Sequence, residues 1–186
     1  MISDRITMQF CGFGGQGIIL SSVIFGTAAV LHSNMNAVQT QSFGSESRGG
    51  ECQAELILSN QPIISPLANQ LDILIAMSQP ALRQYLKRLK SSGTLLYDPE
   101  YVLRPDREDI KIIPVPATES ANRLGNKLAA NMFMLGFLQQ MTHLVTDVAL
   151  CKVIRQTVSE KFLTLNISAA QNGMAMAKEM NAVMEI

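Results

Sequence analysis

The sequence lacks several features that mark particular classes of protein. Its three cysteines, Cys11, Cys52 and Cys151, lie far apart and include no C-x-x-C pair. The usual ligands of an iron–sulfur cluster or a structural zinc site are therefore missing from this chain. An odd number of scattered thiols is typical of the reducing cytosol, so we expect a cytoplasmic protein.

Net charge and long apolar runs are lacking as well. Fifteen basic and fifteen acidic residues cancel, which argues against nucleic acid or an anionic membrane as the main partner. The longest apolar stretch, residues 18–31, is interrupted by Ser21, Ser22 and Thr27 and is too short to span a bilayer. Because the first eight residues also lack the apolar core of a signal peptide, we expect no membrane association.

The residues that are present predict a single α/β domain over residues 1–186. Hydrophobic residues make up 47% of the chain, which is enough for a sizeable core. Strand and helix patterns alternate at first, and the pattern from Thr118 onward is helical. We expect a mostly parallel sheet with flanking helices, a Rossmann-like start and a helical C-terminal third. The predicted strands cover residues 5–11, 36–43, 51–59, 71–78, 94–99 and 109–116, and predicted helices include residues 16–31 and 79–93.

The sequence GFGGQG follows the first predicted strand and precedes the first predicted helix. Gly12, Gly14 and Gly17 have the G-x-G-x-x-G spacing of dinucleotide-binding folds. Glycines let the backbone turn tightly and approach a ligand, and the N–H groups at the start of a helix favour an anion. We expect Gly15 and Gln16 to belong to the same phosphate or carboxylate site. The alternative is a tight turn that binds no ligand.

A conventional NAD or NADP site is excluded by the residues that follow this turn. NAD-binding folds place an acidic residue about 20 residues further on, at the end of the second strand, where it binds the ribose hydroxyls. No acidic residue lies between Asp4 and Glu46 in this chain. A basic residue for the 2′-phosphate of NADP is missing too, since no Arg or Lys lies between Arg5 and Arg48.

A second polar segment, QSFGSESRGGE at residues 41–51, connects the second and third predicted strands. The guanidinium of Arg48 offers a planar fork of donors for a carboxylate or phosphate. Ser45, Glu46 and Gly49 complete the candidate binding residues of this loop. Loops at the carboxyl ends of parallel strands meet over one crevice, so this loop joins the glycine turn if the second strand runs parallel to the first. The alternative is a solvated connection without a ligand.

In combination, these motifs resemble the gamma subunit of the 2-oxoacid:ferredoxin oxidoreductases. The resemblance covers nearly the whole chain and is carried by the order of GFGGQG, QSFGSESRGGE, LDILIAMSQPAL, NMFMLG and LNISAAQNG. The chain length and the RGGE sequence are most similar to the separate gamma subunit of a 2-oxoglutarate enzyme. The pyruvate, branched-chain and indolepyruvate relatives share the glycine and RGG elements.

The resemblance implies an enzyme that decarboxylates a 2-oxoacid, transfers the acyl group to coenzyme A and reduces ferredoxin or flavodoxin. In that family, thiamine diphosphate and magnesium lie between the alpha and beta subunits. Iron–sulfur clusters lie in the beta subunit and in a ferredoxin-like delta subunit. The gamma subunit completes the assembly on the coenzyme A side. We therefore expect this chain to have no catalytic residue, to hold no cofactor alone and to be inactive without its partners.

The resemblance leaves one alternative function open. The chain would then be a purely structural subunit of a pyruvate, branched-chain 2-oxoacid or indolepyruvate enzyme, with glycine loops that contact neighbouring subunits and bind no ligand. A bound anion between residues 12–17 and 44–50 would distinguish a ligand-binding gamma subunit from this purely structural one. The sequence does not specify which 2-oxoacid the enzyme uses.

The remaining polar and Met-rich features have structural interpretations. His32 and His143 each end a predicted helix, and no nucleophile–base set surrounds them in the sequence. Asn131 is typical of a hydrogen-bonded core amide. The basic sequence RQYLKRLK, residues 83–90, is typical of a solvated helix face. The methionines of the C-terminal helices, such as Met132, are expected in the core or at a subunit interface.

Overall fold

The computed structural model, which describes residues 5–43 and 50–180, contains a six-stranded sheet flanked by helices. The strands are β1 (Arg5–Phe13), β2 (Asn36–Phe43), β3 (Glu51–Ser59), β4 (Leu71–Ala76), β5 (Leu89–Tyr97) and β6 (Lys111–Pro114). Their order across the sheet is β2-β3-β1-β4-β5-β6. Strands β1, β4, β5 and β6 are parallel neighbours, and β3 is antiparallel to both β1 and β2. β2 therefore points in the same direction as β1.

Helices cover both faces of this sheet. They are α1 (Ile18–Ser33), α2 (Gln79–Tyr85), α3 (Ala117–Arg123), α4 (Ala130–Thr142), α5 (Asp147–Thr157) and α6 (Glu160–Glu179). α1 and α3–α6 share the larger hydrophobic core with one face of the sheet, and α2 shares a smaller core with the other face. The predicted α/β domain, with a mostly parallel sheet and a helical C-terminal third, is confirmed.

The apolar run of β4 shows why this segment forms a central strand. Successive side chains of a strand point to opposite faces of the sheet. Ile73 and Ile75 belong to the larger core, whereas Leu74 belongs to the smaller one. Because both faces are covered, a continuous apolar sequence is stabilised here, and polar alternation would leave unpaired groups inside one core.

The helix that was predicted to continue to residue 93 ends earlier. α2 ends at Tyr85, a single 3-10 turn covers Leu86–Arg88, and β5 begins at Leu89. Leu89 is buried and pairs with Leu71 of β4, so the parallel ladder takes over where the sequence pattern alone favours a helix. Tertiary pairing with β4 therefore overrides the local helical preference of this segment.

The basic sequence at residues 83–90 was predicted as a solvated helix face, which is correct for the exposed Arg83, Gln84 and Lys87 but wrong for Arg88 and Lys90. The guanidinium of Arg88 donates to Glu55 Oε2 at 2.6 Å and to Gln9 Oε1 at 3.2 Å, across the face of β1 and β3 that α1 does not cover. Lys90 lies in β5 and donates to Asp72 Oδ1 at 2.6 Å. These cations neutralise carboxylates on β3 and β4, which the local sequence does not reveal.

The central helix of the larger core is α4. Its Met132, Met134 and Met141 are buried, so the core interpretation is correct for these methionines. α4 and α6 cross at backbone contact, because a Cβ added to Gly136 would overlap the carbonyl oxygen of Ala170. In the part of the chain that the structure describes, no helix is long and apolar enough to cross a bilayer.

Candidate functional site

The glycine turn lies at the carboxyl end of β1, two strands' width from the edge of the sheet. β1 continues through Gly12 and Phe13, two residues further than predicted, and α1 begins at Ile18. Gly15 has φ 95° and Gly17 has φ 70°, which is the left-handed region that favours glycine. Gly17 is the N-cap of α1, so the free N–H groups of the first helical turn begin directly after it.

Gln16 holds this turn in place. Its side-chain Oε1 accepts a hydrogen bond from Phe13 N at 2.7 Å, and its Nε2 donates to Met77 O at 2.9 Å. The amide therefore links the end of β1 to the residue that follows β4. A Cβ at position 12 would overlap Oε1 of Gln16, so a larger residue there would displace this amide from the turn. Gln16 thus positions the turn, and because it also lines the cleft beside Gly15, its role as a binding residue stays a prediction.

Asn131 fixes the other end of the turn. It is buried near the start of α4, and its Nδ2 donates to Gly17 O at 3.4 Å. A Cβ on Gly17 would overlap this amide nitrogen. Asn131 is thus the hydrogen-bonded core amide that the sequence predicted, and its partner is the glycine turn itself.

Gly15 differs from these neighbours because its surroundings are open. Apart from its chain neighbours, no heavy atom of the described residues lies within 4 Å of the position that a Cβ would take. Two clefts meet at this glycine. The polar cleft, of about 160 Å³, is lined by Gly15, Gln16, Met77, Tyr101, Thr118 and Lys127. The apolar cleft, of about 250 Å³, is lined mainly by Leu20, Leu128, Met132, Phe162 and Leu165.

The polar cleft lies where the strand order reverses. β1 and β4 are neighbours, but α1 follows β1 onto one face and α2 follows β4 onto the other. In open α/β sheets, such a switch point leaves a crevice outside the carboxyl ends of the strands, and ligands bind there. Gly15 and Met77, which follow the two strands, both line the polar cleft.

Lys127 is the site residue that sequence reasoning missed. It begins the 3-10 turn before α4, where Asn126 Oδ1 accepts from Leu128 N at 3.0 Å. Lys127 is exposed and lines the cleft beside Gly15. The Asn126 cap before a buried helix was the available signal, but the sequence does not show that this cap faces the glycine turn.

The predicted residues Ser45, Glu46, Arg48 and Gly49 lie outside the described residues. The flanks of their loop are defined. Phe43 pairs with Cys52 at the end of β2, and Gly14 N donates to Gly50 O at 2.9 Å. Because β2 runs in the same direction as β1, the two flanks of the loop lie at the same end of the strands as the glycine turn. The sequence analysis required the second strand to run parallel to the first if this loop was to join the glycine turn, and β2 meets that condition.

The thiols of the chain are poorly suited to nucleophilic chemistry. Burial raises the pKa of Cys11, and the nearby Glu51 carboxylate raises it further. Burial also raises the pKa of Cys52 and Cys151, although the Ile19 N–H partly opposes this at Cys52. All three thiols are therefore protonated at neutral pH. Within the described ranges, no group of three His, Cys, Asp or Glu side chains could hold a metal ion.

Comparison with known proteins decides the family. Residues 7–176 match the family described as pyruvate ferredoxin/flavodoxin oxidoreductase. The chain belongs to this family. The 2-oxoglutarate synthase subunit KorC of Methanothermobacter thermautotrophicus is 39% identical over 186 residues, which cover 96% of this chain and 98% of KorC. This match along the whole length confirms the resemblance on which the sequence interpretation rested.

Two solved structures share the fold. The gamma subunit of a keto/oxoacid ferredoxin oxidoreductase from Geobacter sulfurreducens has a TM-score of 0.85 and 33% identity, covering 95% of this chain and 98% of its own. The 2-oxoglutarate:ferredoxin oxidoreductase of Magnetococcus marinus, solved with 2-oxoglutarate, coenzyme A and succinyl-CoA bound, has a TM-score of 0.87. The match covers 95% of this chain and 32% of that chain, and its 23% identity supports the fold alone. The chain is thus a gamma-type subunit of a 2-oxoacid:ferredoxin oxidoreductase.

Proposed function

We propose that this chain is the gamma subunit of a 2-oxoglutarate:ferredoxin oxidoreductase that forms acyl-CoA, CO2 and reduced ferredoxin or flavodoxin. The 39% identity to a 2-oxoglutarate synthase subunit along the whole length supports this substrate. Alpha, beta and ferredoxin-like delta subunits are the proposed partners. They would carry thiamine diphosphate, magnesium and the iron–sulfur clusters, so the gamma subunit is inactive alone. Purifying the assembly from its native source and assaying it with several 2-oxoacids tests the substrate.

The proposed contribution of the chain is to bind coenzyme A at the glycine turn. The observation that carries this proposal is the open position of Gly15 between a polar and an apolar cleft. Coenzyme A combines phosphates with a long uncharged arm. The α1 N-terminus and Lys127 suit the phosphates, whereas the apolar cleft suits the arm. Arg48, with Ser45, Glu46 and Gly49, belongs to the proposed site through the loop that ends at Gly50.

The magnitudes indicate that the site is shared with other subunits. A helix N-terminus contributes about 0.3–1 kcal/mol to an exposed anion. An exposed Lys127 adds a contact of similar size, on the order of 0.2–1 kcal/mol. Micromolar affinity requires about 8 kcal/mol, so most of the binding free energy must come from the partner subunits. The chain therefore positions coenzyme A within the assembly and does not capture it alone.

The decisive variant is Lys127→Gln in the reconstituted complex. We expect the KM for coenzyme A to rise about 1.4- to 5-fold, since a phosphate contact worth about 0.2–1 kcal/mol is lost. The KM for the 2-oxoacid should stay unchanged, because decarboxylation takes place on the partner subunits. Lys152→Gln is the matched control, since Lys152 is exposed on α5 away from both clefts. If Lys127→Gln leaves the coenzyme A kinetics unchanged in an assembled complex, the polar cleft does not bind coenzyme A and the purely structural alternative is favoured.

A further inference from the structure

The outer edge of β2 is unusually well suited to pairing with another strand. β2 is eight residues long, contains neither charge nor proline, and has no partner on its outer side among the described residues. The opposite edge of the sheet differs. β6 has only four residues and includes Lys111 and Pro114. Short length, charge and proline are the devices that protect sheet edges from pairing, and β2 has none of them.

An apolar groove follows this edge on the α1 side of the sheet. It has a volume of about 340 Å³ and is lined by Val23, Thr27, Val30, Leu31, Ala37 and Gln39. We call it the α1–β2 groove. Val30 and Leu31 are 44% and 61% exposed, although each is a large apolar side chain. The free edge of β2 and the apolar side of α1 thus form one continuous surface.

The polar groups of this surface are incompletely satisfied within one chain. Four buried side-chain atoms of the described residues have no hydrogen-bond partner, and three of them belong to α1 or β2. These are Ser22 Oγ, His32 Nε2 and Gln39 Nε2. Each unsatisfied buried group costs about 1–3 kcal/mol. Ser22 is fully enclosed within its own chain, whereas the half-buried Gln39 lies on the edge strand and lines the groove, so Gln39 is the group that bears on a second molecule.

We propose that two copies of this chain pair antiparallel through their β2 edges and join their sheets into one. A twofold axis perpendicular to the sheet keeps both α1 helices on the same face. In the two central registers, Gln39 lies opposite Gln39 or Gln41 of the second copy. Each amide both donates and accepts, so a rotation of the Gln39 side chain towards the second copy gives its unpartnered Nε2 an acceptor. The exposed Val30 and Leu31 of the two α1 helices line the joined groove.

A second copy fits this surface because the strand is complementary to itself. The chain carries no net charge, and β2 carries no charge at all, so two copies meet without electrostatic repulsion. The side chains along β2, such as Gln39 and Thr40, provide both donors and acceptors and need no oppositely charged partner. A twofold interface of this kind is closed and stops at a dimer. The inference is independent of coenzyme A binding.

Thr40 is the position for testing the interface, because it is exposed and faces Thr40 or Val38 of the second copy in these registers. Like charges opposite one another destabilise paired strands. We expect the wild-type chain to be dimeric by light scattering, and Thr40→Glu and Thr40→Lys each to weaken the dimer by about tenfold or more. Mixing the two variants should restore a dimer that contains one copy of each.

Thr164→Glu in α6 is the matched control and should remain dimeric, since Thr164 is exposed far from β2. Circular dichroism verifies that each variant is folded. Thr40 is paired with Glu55 of its own chain, so a lysine at position 40 meets an opposite charge and is the milder change. This variant therefore decides the test if Thr40→Glu does not fold. A monomeric wild-type chain, dimeric single variants, or a mixture that stays monomeric would each overturn the proposal.

Discussion

Gly15 and Gly17 both have positive φ, yet they serve different purposes. The Asn131 amide packs against Gly17 and leaves no room for a side chain at this position. Gly15 lies in open space where the two clefts meet. The first glycine is therefore required by packing, and the second leaves the backbone accessible to a ligand. The sequence GFGGQG alone does not distinguish these two roles.

This difference predicts unequal losses of stability. Gly15→Ala places alanine in the left-handed region and should cost about 1–2 kcal/mol of unfolding free energy. Gly17→Ala has the same backbone cost and also overlaps Asn131, so its loss should be larger. Urea unfolding of both variants measures the difference. In a double-mutant cycle, Asn131→Ala should recover part of the loss from Gly17→Ala. Equal losses at the two glycines would contradict the packing role of Asn131.

The crossing of α4 and α6 connects the core to the clefts. Gly136 on α4 and Gly173 on α6 let the two helices touch through their backbones. α4 carries Asn131, which holds the glycine turn, and α6 carries Phe162 and Leu165 of the apolar cleft. The width of the apolar cleft therefore depends on how closely the two helices approach each other.

Gly173→Ala should separate these helices. The added methyl would overlap the carbonyl oxygen of Phe133, so we expect a loss of about 3 kcal/mol in unfolding free energy from overpacking. Gln171→Ala, two residues earlier on the exposed side of α6, should change stability by less than about 0.5 kcal/mol. Thermal and urea unfolding compare the pair. A Gly173→Ala protein as stable as the control would show that the helices can move apart freely.

The sheet as a whole departs from a dinucleotide-binding fold despite its similar start. In the Rossmann order, the second strand lies beside the first and brings its carboxyl end to the ribose. Here β3 lies between β1 and β2, so the end of β2 is one strand further from the glycine turn. The missing acidic residue and the displaced strand both remove the ribose contact.

We therefore predict that the protein binds neither NAD nor NADP with micromolar affinity. The glycine turn alone supplies about 0.3–1 kcal/mol from the helix N-terminus, far below what such binding requires. Isothermal titration calorimetry with each dinucleotide measures this, and an NAD-dependent dehydrogenase in the same buffer is the positive control. Micromolar binding of either dinucleotide would show that other residues replace the missing ribose contact.

Sequence reasoning predicted most elements but misplaced some of their contacts. The first strand and the glycine turn before α1 were predicted correctly. These features arise from residues only a few positions apart. Arg88 was assigned to a solvated helix, although it reaches Glu55, which is 33 positions away. Its local surroundings contain no sign of this carboxylate.

The sequence by itself determined the α/β class, the glycine turn before α1 and the absence of an acid for NAD. Periodicity, turn chemistry and composition act over short distances, so they can be read without a structure. Only the tertiary structure decided that Asn131 holds Gly17, 114 positions earlier, and that Lys127 lines the cleft beside the same turn. It also decided that β2 lies at the edge of the sheet. These outcomes depend on strand order and helix crossing, which arise from burying two cores at once and which no local pattern encodes.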